Sequence, residues 1–157
     1  MEKFYQTFLN YIYQSPFLKN TIIFICKYFP YITFTLYPCI LIYLFCIKSP
    51  LLLSTILRPL LAFLFVTIFR KIIDRPRPFV TMNIQPLLQH KSGESFPSRH
   101  TLSAFIIAFV CFNVNTYLGI FACIIASIIS LSRILSGVHY ISDVISAIII
   151  AFIFYII

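Results

Sequence analysis

Residues 101–132 read TLSAFIIAFVCFNVNTYLGIFACIIASIISLS and contain no charged side chain. A helix that crosses a bilayer takes about 20 mostly apolar residues. This run is too long for one such helix and short for two. Asn113, Asn115 and Gly119 supply a polar turn in its middle. The stretch therefore predicts a tight helical hairpin of about Thr101–Asn113 and Leu118–Ser132.

The neighbouring segments follow the same rule. Tyr28–Ile47 is uncharged and reads as a span despite Pro30 and Pro38, and Pro50–Phe69 reads as a second, interrupted only by Arg58. A last span is predicted from about Tyr140 to Ile157. Near the start, Phe4, Phe8, Leu9, Ile12 and Tyr13 recur every three or four residues, the mark of an amphipathic helix lying in the membrane interface and ending near Ser15-Pro16. The expected fold is all-α, a multi-pass bundle of about five spans plus this interfacial helix. Six spans is the alternative, disfavoured by Asn10, Gln14, Pro16, Lys19 and Asn20. The chain reads as one membrane-embedded domain over residues 1–157.

Composition supports this. Of 157 residues 61% are hydrophobic and 10% charged, against roughly 45–50% and about 25% in soluble domains. Mean hydropathy is +0.97. A soluble monomer of this size could not hide so much apolar surface. Disorder is excluded on the same ground. The five cysteines are odd in number, lie in apolar runs and form no CxxC, so they read as small buried hydrophobes rather than disulfides or zinc ligands. The first twenty residues lack a long apolar core and a small-x-small site, so no cleaved signal peptide is expected. The formal net charge of +8 would suggest nucleic acid in a soluble protein; in a membrane protein it suggests anionic headgroups or an anionic substrate.

The charges are concentrated. Arg70–Arg99 holds eight of the sixteen charged residues and four prolines, and reads as a loop between spans. Following the chain across the bilayer brings Arg70–Pro78, Ser98–His100 and Arg133–Asp143 to one face. With Lys91 and Glu94 of the intervening loop, ten charged residues meet there, with a net charge of +4. Such a site suits a phosphate group. His139 and Asp143 are i, i+4 neighbours, and a carboxylate beside a histidine fixes its tautomer and raises its basicity. His100 begins a helix just after Pro97-Ser98-Arg99, where exposed N–H groups favour an anion. His90 reads as a solvated loop residue, Arg75 and Lys91 as possible headgroup contacts, and Asp74 and Glu94 as counter-charges. Arg58 reads as snorkelling to the opposite interface.

These residues carry a resemblance. The chain is similar to the type 2 phosphatidic acid phosphatases, or lipid phosphate phosphatases, related to the vanadium haloperoxidases. Three motifs occur in order within residues 50–157. The first, Lys-x6-Arg-Pro, reads Arg70…Arg77-Pro78, with Lys71 one residue later. The second, Pro-Ser-Gly-His, reads Pro97-Ser98-Arg99-His100. The third, Ser-Arg-x5-His-x3-Asp, is matched by Ser132-Arg133…His139…Asp143 at every fixed position.

The resemblance implies roles. His139 would be the nucleophile, oriented by Asp143, and His100 the acid and then the base. Arg70 or Lys71, with Arg77, Ser98 and Arg133, would hold the phosphoryl oxygens, and Arg99 would add a further cation there or reach toward headgroups. It implies no metal and no other cofactor. The expected partners are a lipid phosphate substrate and membrane lipids, with no nucleic acid; the oligomeric state stays open. Among lipid phosphates it favours undecaprenyl diphosphate, with phosphatidylglycerophosphate and phosphatidic acid as alternatives. A non-enzymatic lipid-binding membrane protein would explain the hydrophobicity but not the three motifs, and halide oxidation fits membrane burial poorly. The positive-inside rule would place this face in the cytoplasm. The arginines have their own reason to be there, and the resemblance implies a site on the outer face of the cell membrane.

Overall fold

The computed structural model describes residues 2–82 and 84–157, and of residues 2–4 the backbone alone. Seven helices occur among them: α1 Glu2–Gln14, α2 Pro16–Cys46, α3 Leu52–Ile73, α4 Pro78–Thr81, α5 Arg99–Phe112, α6 Thr116–Leu135 and α7 Ile141–Ile156. The fold is a membrane-spanning helical bundle. The helices α2, α3 and α6 are long and apolar enough to cross a bilayer, and α5 and α7 are shorter apolar helices.

The central element is α5. At 1.5 Å per residue its 14 residues span about 21 Å, less than the ~30 Å of hydrocarbon. It is walled by protein, with nine buried residues and principal contacts on α6 and α7. Lipid tails are as apolar as leucine, so helices in a bilayer associate by close packing and polar contacts. Three alanine pairs at i, i+4 supply the close packing: Ala104/Ala108 on α5, Ala122/Ala126 on α6 and Ala147/Ala151 on α7 are all essentially buried. Bulky residues such as Phe34, Phe45, Leu53 and Ile68 are exposed on α2 and α3, where lipid would lie.

The hairpin turn falls where the polar residues predict it. Helix α5 ends at Phe112, and Asn115 caps α6 by accepting from the Leu118 amide at 3.1 Å. A Cβ at Gly119 would sit 2.5 Å from the Phe112 ring, so the turn needs glycine there.

Prolines inside helices do specific work. Proline frees the carbonyl four residues earlier. Pro30 frees the Cys26 carbonyl, which accepts from Arg133 Nη2 at 2.8 Å. Pro59 frees the Thr55 carbonyl, which accepts from the Tyr37 hydroxyl at 3.1 Å. Each break in one helix becomes a bond to another, and the first fixes a cation of the site.

Two expectations change. The first span starts at Pro16, capped by Ser15, rather than at Tyr28. The interfacial helix is docked on protein: Leu9 and Ile12 are buried with Ile22 and Cys26, against Ile84, Leu87, Leu88 and Leu135. Phe8 is exposed, and the side chain of Phe4 lies outside the described residues. On the far face Arg58 is half-buried and lies 5.5 Å from the Tyr155 ring centroid, while the Tyr155 hydroxyl donates to Asn113 Oδ1 at 3.1 Å.

Candidate active site

The three motif segments converge at the ends of α3, α5, α6 and α7, and Asp143 ties them. It is fully buried in the first turn of α7. Its Oδ2 accepts from the Tyr140 amide at 2.9 Å, the Ser95 hydroxyl at 2.5 Å and His139 Nδ1 at 3.3 Å. Its Oδ1 accepts from Arg75 Nη1 at 2.9 Å. Its backbone carbonyl accepts from the Ser98 amide at 3.1 Å, which joins the second motif to the third.

His139 is 2% exposed. With Nδ1 directed to Asp143, its Nε2 is the free position, and Arg77 Nη1 stands 3.5 Å from it. Burial pushes the imidazole pKa down to about 4, against the hydrogen bond that His139 donates to Asp143, which raises it, while the Arg77 charge lowers it further. His139 is therefore neutral near pH 7, with a lone pair available at Nε2.

The loop Arg75-Pro76-Arg77-Pro78 is held extended by its prolines and by two backbone bonds, Arg77 N to Ser92 O at 3.0 Å and Ser95 N to Arg75 O at 2.9 Å. In extended chain, residues two apart share a face while the intervening proline takes the other. Both arginines therefore reach the His139–Asp143 pair from one strand, Arg75 at the carboxylate and Arg77 at the imidazole. Arg77 is fixed further by the Gly93 and Val138 carbonyls, both at 3.1 Å. Burial lowers its pKa below the ordinary value, and Asp143 opposes that. Asp74 serves the same loop: its Oδ1 accepts from the Glu94 amide at 2.9 Å rather than pairing with a cation, and a Cβ at Gly93 would lie 2.3 Å from that oxygen.

Arg70 and Arg133 complete a buried cationic cluster. Arg70 is 3% exposed and donates to the Pro97 carbonyl at 2.7 Å; Arg133 is 2% exposed. The Nε of each is buried without a partner among the described residues. Buried unpaired N–H groups on cations are positions where an anion would be held strongly. Ser98 is fully buried and caps α5, accepting from the Thr101 amide at 3.4 Å.

His100 differs from all of these. It is exposed and lines two clefts of about 390 and 400 Å³. The site thus brings together His139, Asp143, His100, Arg70, Arg77, Arg133 and Ser98. It does not bring in Lys71, which is exposed on α3. Arg99 is exposed on the wall of the apolar cleft, with its charge felt by Arg70 and Arg77. Sequence reading gave no site role to Arg75, Ser95 or His90. The Arg-Pro-Arg-Pro alternation was the available signal for Arg75. His90 is not solvated: it is half-buried, with Nδ1 enclosed and without a hydrogen-bond partner among the described residues, and burial lowers its pKa.

A family model described as the PAP2 superfamily matches residues 48–157. The chain belongs to the PAP2 superfamily. Over 69 residues it is 41% identical to the bacitracin transport permease protein BcrC of Bacillus licheniformis, covering 43% of this chain and 34% of that protein. Over 78 residues it is 38% identical to the undecaprenyl-diphosphatase BcrC of Bacillus subtilis, covering 50% of this chain and 40% of that protein. The matched segments thus span well under half of either relative. Among solved structures, Aquifex aeolicus LpxE superposes with a TM-score of 0.77 at 26% identity, over 98% of this chain and 91% of that one. A PAP2-type phosphatidylglycerolphosphate phosphatase from Bacillus subtilis gives 0.69 at 22% identity, over 99% and 80%, a likeness of fold. The PAP2 match contains every motif residue named above.

Proposed function

We propose that the protein is an integral membrane phosphatase that hydrolyses a lipid phosphate or diphosphate through a phosphohistidine, with undecaprenyl diphosphate to the monophosphate as the leading reaction. The observation that carries this is the buried His139–Asp143 pair with Nε2 left facing Arg77. His139 Nε2 attacks phosphorus, and the bond to the leaving oxygen breaks with its electron pair on that oxygen. His100, open to the clefts, donates the proton. Water then attacks the phosphohistidine, His100 accepts its proton, and phosphate leaves with His139 restored. Arg70, Arg77 and Arg133 hold the phosphoryl oxygens as charge redistributes, with Ser98 beside them. The name of the Bacillus subtilis relative, an undecaprenyl-diphosphatase, supports the diphosphate.

Phosphate release from purified protein given undecaprenyl diphosphate, phosphatidylglycerophosphate and phosphatidic acid tests the reading. Preference for the first is expected. Preference for either other lipid would move the substrate assignment, and release from none would leave a lipid-binding protein. We place the site on the outer face of the cell membrane. Lys91 is exposed on the loop, so a Lys91→Cys variant with the native cysteines replaced should react with an impermeant thiol reagent on intact cells. Labelling only after lysis would reverse the orientation.

A further inference from the structure

Two clefts meet at His100, and their walls differ. One is mostly apolar, lined by Phe34, Phe63, Ile107 and Ile129, with Arg99 on its wall. The other carries Lys27, His90 and Arg133, and no carboxylate is among the described residues that line it. Pro30 and Phe34 border both. Two residues that line the second cleft, about 400 Å³, each hold a buried nitrogen without a hydrogen-bond partner among the described residues, Arg133 Nε and His90 Nδ1. Arg133 is 2% exposed, and its Nη2 donates to the carbonyl of Cys26, which also lines this cleft. A concave cavity lined by cations, with no carboxylate among its described residues, selects an anion.

His100 marks which anion. In the proposed reaction it protonates the leaving oxygen, so whatever lies beyond it is the leaving group. A phosphate monoester would leave as an alcohol and would need no cations there. We propose that the Lys27–His90–Arg133 cleft is a subsite for the second, leaving phosphate of a lipid diphosphate. The inference rests on the phosphatase reading above and narrows its substrate class. His139 Nε2 attacks the terminal phosphorus; the bond to the bridging oxygen breaks, and the electron pair stays on that oxygen. His100 supplies the proton, and the product leaves as a lipid monophosphate. Its oxygens bind Lys27, Arg133 and His90, while the chain follows the apolar cleft toward lipid. In this arrangement Arg133 serves both the attacked and the leaving phosphate. Lys27 precedes the residues matched by the family model, so this subsite uses a part of the chain outside the three motifs.

The test compares wild type, Lys27→Gln and His90→Gln on a long-chain prenyl diphosphate and the prenyl monophosphate of the same chain. Lys27 is exposed, and its replacement removes charge without opening the core. Each variant should lose about tenfold in kcat/KM on the diphosphate and less than about twofold on the monophosphate. Inorganic diphosphate should inhibit the wild type at lower concentration than orthophosphate does, and the variants should lose that difference. Equal losses on both lipids, or none on the diphosphate, would overturn the subsite while leaving the phosphatase reading standing. A wild type that releases phosphate from neither lipid would overturn both.

Discussion

His139 and His100 lie on the same face of the bundle in opposite surroundings. His139 is almost fully buried, with Asp143 on Nδ1, Arg77 near Nε2 and its backbone amide donating to the Arg133 carbonyl at 3.3 Å. His100 is exposed and forms the shared wall of two clefts. A group that forms a covalent bond to phosphorus needs one orientation and one protonation state. A group that passes a proton to a leaving group and then takes one from water needs access. The fold gives rigidity to the first and space to the second.

Removing each side chain in turn is the strongest way to break this contrast. His139→Ala should abolish turnover, a loss of at least about 10⁴-fold in kcat, with Tm and detergent elution near those of the wild type. Substantial turnover would end the nucleophile assignment. His100→Ala should cost about 10²–10⁴-fold and should still label with phosphate when the leaving group is good, since attack needs no acid there. Labelled protein then accumulates because water is not activated. A His100 variant that never labels, while His139→Ala does, would exchange the two roles.

Much of this arrangement is legible in the sequence, for physical reasons that also mark where legibility stops. The hairpin of α5 and α6 stands out because a long uncharged run with a polar interruption has few other solutions. The start of α2 does not, because Lys19, Asn20 and Lys27 lower hydropathy just where the helix passes headgroups and docks α1. The motif residues are readable because each lies at a helix end. Arg70 against Lys71 also has an answer in the pattern. Thr55, Pro59, Ala62, Val66 and Arg70 are the buried residues of α3, spaced by three and four, so Arg70 continues the inward stripe. Lys71 stands about 100° away around the helix. What the sequence hides is tertiary approach. Nothing local tells that Arg75 reaches a carboxylate 68 residues later, or that His90 turns into a cleft.

Arg75 sharpens the contrast further. Its guanidinium carbon lies 4.1 Å from the Tyr140 ring centroid while Nη1 binds Asp143. It acts on the nucleophile through Asp143, as a positioning residue. Arg75→Gln should lower kcat about tenfold with KM changed less than about twofold, and Arg75→Lys should recover part of the loss. A raised KM with kcat intact would make Arg75 a substrate ligand instead. Tyr5 provides a weaker tie, since its hydroxyl lies 2.7 Å from the Ile134 carbonyl and 3.3 Å from that of His139. Tyr5→Phe should cost about 0.5–1.5 kcal/mol of stability, read as a small drop in Tm. No change would make α1 a passive cover.

The smallest expected effect reads the burial of His139 directly. Its pKa falls from 6.5 to about 4 because burial disfavours the imidazolium. Between those values the unfolded chain binds a proton that the folded chain does not. Acid therefore favours the unfolded state across that window, and the stabilising contribution of the neutral imidazole is complete only above about pH 6.5. Tm in detergent should decline as pH falls from 6.5 toward 4. The informative quantity is the difference from a variant. His139→Gln keeps a polar, uncharged side chain and should flatten the upper part of the curve, between about pH 5 and 6.5. A curve that His139→Gln leaves unflattened would show that the buried imidazole does not carry this pH dependence.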